Sequence, residues 1–190
     1  GGDITDLSLS VQHLAADDVS SLSAGGKFAY TVNGTIFPSQ GVVVNGPGRL
    51  EVMAGTGIDL GDSKGIVSKG NLANPYLPVG GADIVAIAGT TAPDYAGFLS
   101  HLAANGLSAG DDSSAQGLLG RFFELLVQFG VEAEAGGGQA SYAKGAALAA
   151  ALFPKVSPAD IDLFYSSIKT EQGGGINLLA PDGSINVGIA

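Results

Sequence analysis

Two stretches of this chain carry one pattern: Leu50 to Gly61 reads LEVMAGTGIDLG, and Ile176 to Gly188 reads INLLAPDGSINVG. Each has an alternating apolar and polar run and a glycine-marked turn. A second run of Ile, then Asp or Asn, then Leu or Val follows, closed by glycine. Strand side chains point alternately to opposite faces, so the apolar set in each run must face inward and the unit reads as one corner of a coil. Recurrence of this kind points to stacked coils, because a single unit cannot bury its apolar face alone. A weaker echo sets Gly81-Ala82-Asp83-Ile84 beside Gly1-Gly2-Asp3-Ile4.

Composition agrees with a turn-rich scaffold. Thirty-one of 190 residues are glycine, without the three-residue period of collagen, so turns account for many of them. Charged residues are 14%, against a usual value of about 25%. Eight Lys and Arg face eighteen Asp and Glu, a formal net charge of -10, which argues against nucleic acid and anionic membrane surfaces as partners. The absence of cysteine excludes disulfides and thiolate metal sites. No apolar run is long enough to cross a bilayer, and Gly1 to Ser10 lacks the pattern of a signal peptide. Because the chain opens in the strand-like Asp3 to Val11 and closes in the strand-like Ser184 to Ile189, it reads as a segment of a longer protein.

Strands and turns are expected to about Ala92. They are Asp3 to Val11, Phe28 to Ile36 with an Asn33-Gly34 turn, Gly41 to Asn45, Leu50 to Leu60 and Ile84 to Ala88, with Gly65 to Gly80 an ordered loop. At Pro93 the apolar period shifts from two to nearly four. Helices are expected over Asp94 to Ala104, Ser113 to Phe129, Gln139 to Phe153 and Ser157 to Thr170, with Glu132 to Gly138 a linker. In the last, Ser157 stands as N-cap, Pro158 at the first helical position and Asp160 in the capping-box slot. After Gly173-Gly174-Gly175 the strand period returns. The expected fold is mainly β with an all-α insertion: β-solenoid coils over residues 1–92, a four-helix insertion over 93–171, and a return to the coil over 172–190. A mixed α+β domain is the alternative.

The residues from Gly48 to Gly89, with RLEVMAGTGIDLGDSKGIVSKGNLANPYLPVGGADIVAIAG at their centre, resemble the large exoproteins of the filamentous haemagglutinin type, as does Gly173 to Ala190. That resemblance implies a right-handed parallel β-helix, export through an outer-membrane transporter by two-partner secretion, a secreted or bacterial cell-surface location, and adhesion or toxin delivery. The implied partners are that transporter and a protein or glycan receptor on a host or neighbouring cell. The family's N-P-N-G-[IL] secretion motif is missing, Asn74-Pro75-Tyr76-Leu77 being the nearest match, and the helical block lies outside the regular repeat.

Several short motifs invite a catalytic or metal reading. Gly61-Asp62-Ser63-Lys64-Gly65 matches G-x-S-x-G, but Ile66 and Val67 follow where a nucleophile elbow needs a helix. Ser141-Tyr142-Ala143-Lys144 matches S-x-x-K without the S-D-N and K-T-G companions. Asp111 and Asp112, with Asp59 and Asp62, lack calcium-loop spacing. His13 and His101 stand alone, and Gly25-Gly26-Lys27-Phe28 departs from a P-loop at its first glycine and its Ser or Thr. A β-helical polysaccharide-active enzyme wants basic residues beside carboxylates, and only Arg49 and Arg121 supply arginine. The expectation is a non-enzymatic adhesin segment with no catalytic, cofactor or metal residues. In it the insertion either contacts a partner or serves only to cap or brace the coils, and a stalk for toxin delivery is a variant.

Overall fold

The computed structural model describes residues 1–34, 40–72 and 74–188. The chain forms two compact units, Gly1–Thr91 with Val156–Ala190, and Ala92–Lys155.

Among its described residues the first unit contains three sheets, and every pairing between neighbouring strands there is parallel. The chain visits them in rotation. A first circuit runs β1 (Ile4–Thr5), β2 (Ser8–Gln12) and β3 (Val19–Ala24), and a second β4 (Lys27–Ala29), β5 (Gly41–Asn45) and β6 (Arg49–Ala54). A third runs β7 (Gly57–Asp59), β8 (Ile66–Ser68) and β9 (Asp83–Ala88). After the helices come β10 (Ile161–Asp162), β11 (Ile168–Thr170), β12 (Ile176–Leu179) and β13 (Ile185–Asn186). The sheets are therefore β1-β4-β7-β10-β13, β11-β8-β5-β2 and β12-β9-β6-β3.

Register turns the sequence repeat into a stack. Leu50 and Ile176 both pair with Ile84, and Ile58 and Ile185 both pair with Ile161, so the two copies turn the same corner from third sheet to first. Inward ladders of Phe28, Ile58 and Ile161, of Val42 and Ile66, and of Val52 and Ala86 make one continuous apolar core. The glycine closing each copy sits at the next corner with positive φ, +51° at Gly61 and +92° at Gly188. A side chain at Gly61 would also press on the Tyr30 carbonyl of the preceding circuit.

The weaker echo has a physical cause. Asp3 Oδ1 accepts from the Lys27 amide (2.7 Å), Asp83 Oδ1 from the Gly175 amide (2.6 Å) and Asp160 Oδ1 from the Ser184 amide (2.7 Å). In each case the isoleucine that follows the aspartate pairs with the residue after that amide: Ile4 with Phe28, Ile84 with Ile176, Ile161 with Ile185. An Asp-Ile dipeptide thus clamps one circuit to the next at three places. Much of the acidic composition serves the backbone in this way, since Asp6 Oδ1 accepts from Thr31 N (2.8 Å) and Asp62 Oδ2 from Asn33 N (2.7 Å).

Several sequence expectations are corrected. Ser157 to Thr170 is not a helix: it carries β10 and β11, which complete the first and second sheets. The capping-box aspartate, Asp160, reaches the Ser184 amide of another strand, and Ile161 and Leu163 alternate into the core. The helical block accordingly ends near Lys155 and not at Glu171. The expected loop from Gly65 to Gly80 opens with β8, whose Ile66 extends the Leu9 and Val42 ladder. Asp3 to Val11 is two strands, bent at Asp6 with φ +52°. The final residues of two expected strands, Thr35 and Ile36 and again Ile189 and Ala190, lie outside the described residues, as does Ala73 in the loop.

The second unit has three helices, α1 (Tyr95–Ala104), α2 (Ala115–Glu132) and α3 (Gly138–Leu152). Asp94 caps α1 by accepting from Gly97 N (2.9 Å), and Ser114 caps α2 by accepting from Gly117 N (3.1 Å). The stripe Leu118, Leu119, Phe122, Leu125 and Phe129 is buried, and Phe122 packs edge-on against Phe98 (6.2 Å) and Phe153 (5.5 Å). The segment expected as a linker continues α2 through one wide helical turn, Ala133–Gly137, and breaks at Gly136 (φ +114°).

Candidate functional site

The reactive-looking motifs are spent on turns. Ser63 is buried at a corner; its Oγ donates to the Leu60 carbonyl (2.7 Å) and accepts from Gly65 N (3.0 Å). Asp59 Oδ1 accepts from Gly61 N (3.0 Å) and Asp112 Oδ1 from Ser114 N (2.9 Å). No group of three or more His, Asp or Glu side chains among the described residues is placed to hold a metal. His13 is buried between the Pro47 carbonyl (2.7 Å from Nδ1) and Ser20 Oγ (2.9 Å from Nε2), where it ties successive turns together. Gly25 and Gly26 form the short connection between β3 and β4, with Gly26 N donating to the Gly2 carbonyl (3.1 Å).

His101 is placed differently. With Asn105 and Leu107 it lines a cleft of about 430 Å³ in the helical unit, opposite Gln128, Phe129 and Glu132 of α2 and Ala140, Ala143, Lys144 and Ala147 of α3. Two ordinary features of helices build this cleft. The kink at Gly136 folds α3 back beside α2, and the alanines on α3 are too small to fill the space between the helices. Phe129, buried to 5% exposure, makes the apolar floor.

One wall is polar. Lys144 Nζ lies 3.4 Å from Glu132 Oε2 and 5.6 Å from the centre of the Phe129 ring. Gln128 Nε2 donates to Glu132 Oε1 at 2.9 Å. These contacts, the Gln128 bond foremost, hold the Glu132 carboxyl below the usual carboxylate range. Both Glu132 oxygens are engaged. Lys144 retains unspent N–H donors, and no hydrogen bond to the His101 ring occurs among the described residues.

Within the S-x-x-K match Ser141 is buried, and Lys144 turns toward Glu132 and Phe129. The useful signal was the spacing of Gln128, Phe129 and Glu132 along one helix face. What the sequence withheld was the hairpin that brings α3 alongside.

A second surface feature is the loop after β8, where Leu72 and Val79 are exposed and Tyr76 is 93% exposed. The Asn71 side chain anchors its base, donating to the Pro78 carbonyl (2.9 Å) and accepting from Gln12 Nε2 (2.9 Å). This is the loop that holds Asn74-Pro75-Tyr76-Leu77.

No protein-family model, curated protein or solved structure matches this chain. The fold and site together define a parallel three-sheet stack interrupted by a helical unit that carries a cleft. No helix among the described residues is long and apolar enough to cross a membrane.

Proposed function

We propose that the chain is a non-enzymatic segment of a secreted, cell-surface exoprotein of the filamentous haemagglutinin kind. In this reading the parallel sheets are coils of a right-handed β-solenoid stalk, and the helical unit is its contact module. One observation carries it: the two copies of the repeat occupy the same corner of the stack, and the helices enter the chain at that same corner. The connection from third sheet to first is Gly25-Gly26 in one circuit and Gly55-Thr56 in the next, while between β9 and β10 it expands into the helical unit. Coils spend their edges on neighbouring coils, which leaves expanded corners to meet a partner. A protein or glycan receptor is the partner this reading requires.

The test is adhesion of cells to beads coated with the full chain. Replacing residues 93–155 by a short glycine bridge is expected to abolish adhesion while the β-sheet circular dichroism persists. A surface variant, Val127→Glu with Val131→Glu and Tyr142→Ala, changes three exposed helix positions and is expected to weaken adhesion with the fold intact. Unchanged adhesion in both overturns the assignment of contact to the helices. An excess of soluble full chain that fails to compete overturns the adhesive role itself.

A further inference from the structure

We propose that the cleft walled by His101, Phe129, Glu132 and Lys144 is a binding site for a small amphipathic monocarboxylate. The proposal is independent of the adhesive reading, since it concerns only the interior of the helical unit. The cleft's volume of about 430 Å³ lies within the usual range for small-molecule sites, roughly 300–1,000 Å³. Its lining has the composition such sites show, an apolar floor with a few convergent polar groups. Phe129, Leu107, Ala140, Ala143 and Ala147 offer hydrocarbon.

The sign of the ligand follows from which hydrogen-bonding capacity is left. Glu132 already accepts one hydrogen bond on each oxygen, from Gln128 and Lys144, so a cationic ligand would have to share that carboxylate with an ammonium. Lys144 donates one hydrogen bond to Glu132 and has further N–H groups to give, and its approach to the Phe129 ring and to Glu132 holds the ammonium in place. His101 lines the same cleft, and its imidazole carries an N–H that can serve as a second donor. A carboxylate bound there would accept from Lys144 and His101 while its hydrocarbon tail covers Phe129. In a chain with eight Lys and Arg against eighteen Asp and Glu, anion binding here would rest on the Lys144 and His101 donors of the cleft, against the field of the whole molecule.

Octanoate below its micelle concentration is the probe, titrated into the full chain and followed by two-dimensional amide and methyl NMR. Saturable shifts are expected at Ala143, Lys144 and Ala147 together with Gln128 and Phe129. Lys144→Gln is expected to weaken binding by about tenfold or more, the size of a lost charge-assisted hydrogen bond. His101→Ala is expected to weaken it less. Phe129→Leu keeps an apolar floor and serves as a variant whose fold is checked by the unchanged spectrum of the remaining residues. Absence of saturable shifts in the cleft overturns the proposal. So does equal affinity for 1-octanol, which shows that only hydrocarbon is read. Tighter binding of octylammonium also overturns it, because Glu132 would then be the recognition group.

Discussion

The Asp83 carboxylate accepts a hydrogen bond from the amide of Gly175, 92 residues further along the chain, at 2.6 Å. Ile84, the next residue, pairs with Ile176, the residue after that amide. The same relationship joins Asp3 with Lys27 and Asp160 with Ser184. An aspartate before an isoleucine thus supplies an acceptor where the parallel ladder begins, and the isoleucine supplies the core contact one residue later. The three clamps lead to a direct test. Asp83→Ala should speed amide hydrogen exchange at Gly175 and in the first residues of β12, while Asp83→Asn, which keeps the acceptor, should leave exchange nearly unchanged.

Ser68 is fully buried on an inward ladder between Val44 and Thr170, and its hydroxyl has no hydrogen-bond partner among the described residues. A buried hydroxyl without a partner costs about 1–3 kcal/mol of desolvation. Ser68→Ala is therefore expected to stabilise the protein by about 1 kcal/mol, seen as a higher midpoint in urea unfolding. A lower midpoint would show that the hydroxyl contributes to packing in some other way.

Phe164 occupies the corner filled by Gly61 and Gly188 in other circuits, and it does so with φ +48°. A left-handed conformation costs a side chain about 1–2 kcal/mol relative to glycine. Its ring packs against Tyr165 at 4.3 Å between centres, which offsets part of that cost. Phe164→Gly should be more stable than Phe164→Ala by about 1 kcal/mol, measured as the difference in thermal unfolding free energy.

Two carboxylates give stability opposite dependences on pH. Burial pushes the Glu51 carboxyl above its ordinary value of 4.5, with Arg49 pulling the other way from 3.8 Å. The folded chain therefore holds this proton more tightly than the unfolded chain, and the contribution is fully present below 4.5 and is lost as pH rises through the raised value. Asp18 behaves in reverse. Its carboxylate accepts from the amides of Leu14 (2.6 Å) and Ala15 (3.0 Å), which hold it below its ordinary value of 3.8, so its contribution is present above that value and is lost as pH falls. Glu51→Gln should raise stability at neutral pH and remove the decline on going from mildly acidic to neutral conditions. Asp18→Asn should weaken stability at neutral pH and flatten its fall in strong acid. Urea midpoints measured across the acidic range check both.

Much of the architecture was legible in the chain. The β-branched run Gly41 to Asn45, the alternation within Leu50 to Leu60 and the apolar Ile84 to Ala88 marked strands that the structure contains, and the two copies of the repeat marked one corner of the stack. The starts of α1 and α2 lie within two residues of the expected Asp94 and Ser113, with Asp94 and Ser114 as the caps. Less visible was β3, because Val19 to Ala24 reads VSSLSA and its inward set is only Ser20, Leu22 and Ala24, paired with Leu50, Val52 and Ala54. A weak strand is recruited there by a strong neighbour.

Ser157 to Thr170 shows where local reading fails. Ser157, Pro158 and Asp160 carry the signals of a helix start, yet Ile161 and Leu163 join the core and Asp160 clamps the Ser184 amide. Capping contributes on the order of 1 kcal/mol, whereas burying an isoleucine or leucine contributes about 1.5–3 kcal/mol and the ladder adds backbone hydrogen bonds on both sides. The candidate site was hidden for a related reason. His101, the Phe129 and Glu132 pair and Lys144 stand on three different helices, and only the turn at Gly136 sets α3 beside α2.

The sequence by itself determined the periods, the glycine-bearing corners and the dipeptides that repeat at them, because strand alternation and positive φ are local constraints read one residue at a time. The tertiary structure decided which strands pair, where the helical unit ends, and which charged groups share a cleft. Those outcomes depend on apolar burial and hydrogen bonds between residues up to about a hundred positions apart, and their combined free energy outweighs local preference.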